Sequence, residues 1–286
     1  MNGTTDWFDV DRVADGWLQL TEGNPVLPCH SLVVEDGDDC VLVDTGLGIG
    51  DLPGMVRELT GHDDPTVLLT HSHWDHIGAA PEFADVSIHG DEQTADGSVA
   101  IDVLSDEFGQ RPGQFIQSCI DQGVEFPDGF DPDGYSIDPT DGVGTLEPWE
   151  EISVGDRTLE LVPIPGHSPG QLAVLDRTAG ICHGADVLEP GGEIFAQFQD
   201  SDVDVYRETM ARLVDLRDEG AFDTLTTGHG DPLHGDELSV LDEVQDALDS
   251  VASGEIPAET VETNYGPKLQ YEVGDVVVLT KTETST

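Results

Sequence analysis

Short, β-branched apolar runs broken by Gly, Pro and Asp alternate along this chain with stretches whose apolar residues recur at helical spacing. Ser31–Glu35 and Cys40–Asp44 read as the arms of a hairpin turning across Asp36–Asp39. Thr66–Thr70 is a compact buried strand that delivers the chain into His71, and Thr158–Val162, Leu172–Asp176, Gly180–His183 and Thr224–Thr227 continue the series. Between the strands, Asp51 caps a helix that carries Pro53 in its first turn and ends at Gly61. Val203, Tyr206, Met210, Leu213 and Val214 mark one face of a helix ending near Gly220. Leu238, Leu241, Val244, Leu248 and Val251 do the same for another, ending at Gly254. Strand and helix alternate without a clean repeat, so the fold class is α/β or α+β with at least one layered sheet.

Residues 90–150 break the rhythm. They hold fifteen acids against one base, Arg111, are rich in Gly and Pro, and offer only Ile101–Phe108 and Gln114–Ile120 as short helices. Such a stretch is either a solvated surface excursion or a cover over a functional site. After Ile256 the pattern predicts one strand, Asp275–Thr280, and a polar end, Lys281–Thr286, that frays. The expected organisation is a single domain over residues 1–286, with an acidic insertion at about 90–150 and an extension after about 256.

Charge changes the picture further. Sixty acidic residues face ten basic ones, of which only Lys268 and Lys281 are lysines, for a net charge of −50. The acids are spread among regular apolar positions rather than gathered in a tail, which points to a folded protein of a salt-accumulating halophile. At about 1 M ionic strength the screening length falls to roughly 3 Å, and the self-repulsion is suppressed. No basic face exists to neutralise phosphates, so nucleic acid is not an expected partner. No run approaches the roughly 18 apolar residues of a membrane span. Met1–Val10 has neither a basic nor an apolar leader region, and the expected location is the cytoplasm. Cys29, Cys40, Cys119 and Cys182 are widely spaced and read as free thiols, mostly core fillers.

The chemistry concentrates in Thr70–His76, THSHWDH. Three imidazoles and a carboxylate follow directly on a strand, and His and Asp are good ligands for a borderline cation such as zinc. Alternation sets His71 and His73 to one side while Asp75 and His76 turn to the other, so one loop can serve two adjacent ions. Three further fragments place a ligand at a strand end: His167 in PGHSPG, Asp186 in GAD and His229 in GHG. Each is weak alone. Together the segments offer five His and two Asp. His89 and His234 follow elements near the expected site mouth and are candidates for touching substrate. His30 and His183 read as structural, His62 as exposed, and Trp74 and Tyr206 as packing residues.

These motifs resemble those of the metallo-β-lactamase superfamily. THSHWDH matches its HxHxDH signature, PGHSPG, GADVL and GHG match its later ligand segments in order, and VLVDTG at Val41–Gly46 matches the strand before the first helix. The resemblance implies a four-layer αββα sandwich with the site at its edge. It implies that His71, His73 and His167 hold one ion, that Asp75, His76 and His229 hold a second, and that Asp186 bridges them, with Asp44 bracing the metal loop. The implied cofactor is two zinc ions, iron or manganese being possible at either position. The ions would acidify a bridging water and polarise the substrate, with Asp75 orienting that water and carrying its proton.

The superfamily does not choose a substrate. The compact HxHxDH form with its PGH segment looks most like the glyoxalase II and lactonase branches, so the leading expectation is hydrolysis of a carboxylic ester, thioester or lactone. A phosphodiesterase and an iron-dependent persulfide dioxygenase are the alternatives, and a polyanionic substrate is disfavoured by charge. Glutathione is doubtful as the thiol carrier, because only Lys268 and Lys281 are near the C-terminus to read it. The expected partner is a small molecule; the oligomeric state stays open, a dimer included.

Overall fold

A computed structural model describes residues 3–4, 7–24, 26–104 and 106–282. The last four residues of the end expected to fray, 283–286, lie outside the described residues. The chain divides into two compact units, Met1–Glu147 with Ile152–Thr158 and Pro148–Glu151 with Leu159–Thr286.

The first unit carries an eight-stranded sheet whose strands neighbour one another in chain order. Phe8–Ala14, Trp17–Glu22, Cys29–Asp36 and Asp39–Val43 pair antiparallel. From Asp39–Val43 onward the pairing switches to parallel, through Thr66–Leu68 and Val86–His89 to Gly144–Leu146. The central strands are apolar because both their faces are covered: Trp17, Leu32, Val33, Val34, Leu42, Val43 and Val67 are fully buried. Parallel strands end at one edge, and the loops leaving that edge are where such sheets place ligands. Asp44, the loop Thr70–His76 and His89 all leave the carboxyl ends of these strands. Helix α1, Leu52–Thr60, starts at Asp51, whose carboxylate accepts from the Gly54 N–H at 2.9 Å, and ends at Gly61 with φ 80°.

In the second unit the strand Arg157–Pro163, which begins at the unit boundary, pairs antiparallel with Leu172–Asp176, and that strand with Ile181–His183. Ile181–His183 in turn runs parallel to Thr224–Thr226. Arg157–Pro163, Ile181–His183 and Thr224–Thr226 therefore point the same way, and His167, Asp186 and His229 follow their three carboxyl ends. A separate four-stranded sheet joins Glu193–Ala196, Val276–Lys281, Gly266–Val273 and Glu259–Thr263 in that order. Two helices, Val203–Asp218 and Val240–Ser253, bury Met210, Leu213, Leu241, Val244 and Leu248 against Val162, Leu175, Leu225 and Val278 in one apolar cluster.

Three expectations change. Ile101–Phe108 is not a helix: a short 3₁₀ turn, Asp106–Gln110, leads into a helix at Arg111–Gln122, and Phe108 is pulled into the core. The tail after Ile256 holds three strands, not one, because Glu259–Thr263 and Gly266–Val273 form a hairpin that pairs with Val276–Lys281. His62 is half-buried rather than exposed. The N-terminal strands Phe8–Ala14 and Trp17–Glu22 carry no expectation at all and form much of the sheet. All four cysteines are buried and none forms a disulfide. Among the described residues no helix is long and apolar enough to cross a membrane.

Candidate metal centre

The candidate ligand loop of the first unit, Thr70–His76, is held from beneath by Asp44. This residue sits at φ 60°, in the left-handed region that side chains rarely adopt. One of its carboxylate oxygens accepts from the Thr70 N–H at 2.7 Å, and the other from the Thr70 hydroxyl and the His76 Nδ1–H, both at 2.8 Å. Because the Thr70 hydroxyl spends its proton on Asp44, it can only accept at its 3.0 Å contact with His71 Nδ1. Both His71 and His76 thus carry their proton on Nδ1, which makes Nε2 the nitrogen that could hold a metal ion. The rings of His71 and His73 stand 4.5 Å apart and those of His71 and His76 4.2 Å apart. His71, His73, Asp75 and His76 are all buried, at 8% exposure or less. The Asp75 carboxylate lies within 4.8 Å of the Cys29 thiol. The turn closes on Gly78, where a Cβ would stand 2.1 Å from the Leu47 carbonyl carbon; only glycine fits.

Glu92 and Glu22, which carry no sequence assignment, and His89, expected to touch substrate, support the same loop. Glu92, fully buried, accepts from the Ser72 N–H at 3.0 Å and the Ser72 hydroxyl at 2.6 Å, pinning the residue between His71 and His73. His89 caps the short turn that presents Glu92, its Nδ1 accepting from the Asp91 N–H at 3.2 Å. Glu22 accepts from Trp7 Nε1 and the Leu47 N–H, both at 2.6 Å, beneath the loop whose Thr45 donates to the His76 carbonyl. Burial pushes the Glu22 carboxyl up to about 7, against hydrogen bonds from Trp7, Leu47, Gly48 and Ile49 that pull it down.

Phe108, Phe115 and Arg111 of the expected insertion pack on this loop. The Phe108 ring lies 4.4 Å from that of His73, Phe115 lies 5.5 Å from Trp74, and the Arg111 guanidinium sits 6.0 Å from the Trp74 ring. The Tyr135 hydroxyl donates to the Leu47 carbonyl at 2.5 Å. Burial, followed by the charges of Glu22, Cys29, Asp75 and Cys119, holds the Tyr135 phenol well above its ordinary pKa, so it stays a donor.

The second unit presents a converging set. His167 Nδ1 donates to the Phe195 carbonyl at 2.9 Å, so Nε2 is again the atom that could hold an ion. That Nε2 lies 3.5 Å from an Asp186 carboxylate oxygen, and His229 Nε2 lies 3.4 Å from the same oxygen. Two donors bound tetrahedrally to one ion at about 2.1 Å stand roughly 3.4 Å apart, so these spacings suit the edges of a zinc-type polyhedron. Ala185, just before Asp186, takes φ 45°, and the Tyr206 hydroxyl holds the turn by donating to the Asp186 and Val187 carbonyls at 3.1 and 3.0 Å. Tyr206 therefore does more than pack. Gly166, at φ 137°, lies so close to Tyr206 that a Cβ would stand 2.6 Å from its Cα. His30 and His183, read from the sequence as structural, are buried and bonded to Thr21 and Thr226, both at 3.0 Å. His234 is exposed and contacts the Thr224 hydroxyl at 3.1 Å.

Residues 24–229 match the metallo-beta-lactamase superfamily, and the chain belongs to it. The acyl-coenzyme A thioesterase MBLAC2 of Gallus gallus is 30% identical over 238 residues, 78% of this chain and 81% of that protein. The human protein of that name is 25% identical over 248 residues, with the same coverage. A metallo-beta-lactamase family protein from Thermus thermophilus superposes with a TM-score of 0.60 at 20% identity, covering 86% of this chain and 83% of its own. The fold class is thus the mixed α/β one of this superfamily, and its His and Asp residues support binding of a divalent metal.

Proposed function

We propose that this protein is a dinuclear metal-dependent hydrolase that cleaves a carboxylic thioester. The observation that carries the reading is the common tautomer of His71, His76 and His167. Each ring is anchored through Nδ1, by a threonine hydroxyl, a carboxylate and a backbone carbonyl respectively, which is the arrangement that prepares imidazoles for metal. On the superfamily pattern His71, His73 and His167 hold one ion, Asp75, His76 and His229 the other, and Asp186 both, the whole chain forming one catalytic domain. Zinc suits this donor set best.

Bound, the ions supply Lewis-acid polarisation of the acyl oxygen and a nucleophilic water at neutral pH. The protein's residues do the rest. Asp75 orients the attacking water and accepts its proton, then returns it to the departing thiol. Asp44 and Glu92 keep the histidines from turning, and Phe108, Trp74 and Phe115 exclude solvent on the side of the insertion. The thioester is favoured over the ester and lactone by the relatives that are acyl-coenzyme A thioesterases. The excess of acid disfavours a phosphodiester. We also infer a cytoplasmic life in molar salt, where that charge is screened.

The test is release of free thiol from acyl thioesters of graded chain length in molar KCl, before and after chelation. Turnover lost on chelation and restored by zinc supports the reading. Turnover indifferent to chelation, or found only on phosphodiesters, overturns it.

A further inference from the structure

In a chain with sixty acids the placement of the only two lysines is informative. Both donate into one irregular segment, Gln197–Ser201. Lys268, 2% exposed, donates Nζ to the Gln197 carbonyl at 2.9 Å. Lys281 donates to the carbonyls of Gln199 at 2.7 Å and Ser201 at 2.9 Å. Carbonyls of an irregular segment must find donors outside a helix or ladder, and an ammonium buried this deeply is tolerated only where it is well bonded.

That segment holds His167. The Ser201 hydroxyl donates to the His167 carbonyl at 2.7 Å, and the Phe198 ring stands edge-on to the imidazole at 5.4 Å. Phe195, just upstream, accepts the His167 Nδ1–H. Tyr265 stands edge-on to Phe198 at 4.9 Å. Tyr265, Lys268 and Lys281 all belong to the C-terminal meander, beyond residues 24–229 that match the superfamily.

We propose that Lys268 and Lys281 are positioning residues of the metal centre: by fixing Gln197–Ser201 they hold His167 with its Nε2 facing Asp186. The C-terminal extension is then a working part of the ligand set rather than an appendage. The inference rests on His167 being a metal ligand, and it withdraws both lysines from any role in reading the substrate.

Zinc affinity of the folded apo-protein, measured in molar KCl by competition with a chromophoric chelator, tests it. The variants are Lys268→Met, Lys281→Met, Lys281→Arg and His167→Ala, with the cobalt(II) absorption spectrum and the apo melting temperature read alongside. Loss of an outer bond to a metal ligand weakens affinity by roughly 10–100-fold. The lysines act one bond further out, through Gln197–Ser201, so both methionine variants should weaken affinity by up to that range with an altered cobalt spectrum, and Lys281→Arg should recover most of it. Should Lys268→Met fail to fold, Lys281→Met, at the more exposed anchor, decides alone. Folded methionine variants with wild-type zinc affinity beside a weakened His167→Ala would overturn the lysine role, even if their apo melting temperatures fell. Wild-type affinity in His167→Ala would remove the ligand assignment and the proposal with it.

Discussion

Replacing Glu22 by Gln should flatten the dependence of folding stability on pH. The Glu22 carboxyl titrates near 7 in the folded chain against 4.5 for an ordinary glutamate, because burial outweighs its hydrogen bonds. A carboxyl whose folded pKa is raised keeps its proton longer than the unfolded chain does. Its contribution is therefore fully present below about pH 4.5 and is lost as the pH rises through about 7. The shift of about 2.5 units, at 1.36 kcal/mol each, amounts to roughly 3 kcal/mol. Glutamine keeps the shape but cannot ionise, and its amide faces one of the donors Trp7 Nε1 and Leu47 N–H, a uniform cost of about 1–3 kcal/mol at every pH. The assay is urea denaturation of both proteins in molar KCl, which screens the remaining acids, at intervals from pH 4.5 to 8. The wild type should lose about 3 kcal/mol more than the variant across that range. Parallel curves would refute the reasoning and place the Glu22 carboxyl in its ordinary range.

The other expectations are direct. Asp75→Asn should lower turnover by roughly 10²–10⁴-fold, the range for a lost general acid–base group. Added metal should not rescue it, whereas His71→Ala and His73→Ala should regain activity in excess metal; near-normal turnover of Asp75→Asn would remove the proton role. Phe108→Ala uncovers His73 and should change the preferred acyl chain length while zinc stays bound, and an unchanged profile would make the insertion a passive wall. Lowering KCl from molar to about 0.1 M lengthens the screening distance to roughly 10 Å. The melting temperature should then drop, and a constant value would count against adaptation to salt.

The candidate ligands stand out in the sequence because their chemistry is local: THSHWDH packs three imidazoles and a carboxylate into seven residues, and His167, Asp186 and His229 each follow a strand with a clear apolar run. Strands were missed where polar residues face inward. Trp17–Glu22 reads WLQLTE, yet Gln19 and Glu22 are buried with the apolar positions, so no alternation marks it. Glu92 looked like one more solvated acid of the insertion, because its burial depends on Ser72 twenty positions away. Ile101–Phe108 read as a short helix, but the Phe108 ring packs on His73. The role of Lys268 and Lys281 was invisible for the same reason: only the folded chain brings them to Gln197–Ser201. Contacts across long separations, not propensities, decided each of these.

The most direct test of the central claim is the metal content of protein purified in molar salt, read against thioester hydrolysis in the same sample. Two zinc ions per chain, with turnover that disappears as they are removed and returns as they are restored, is the predicted result. A chain that takes up no divalent metal, or hydrolyses thioesters equally well without it, would contradict the account.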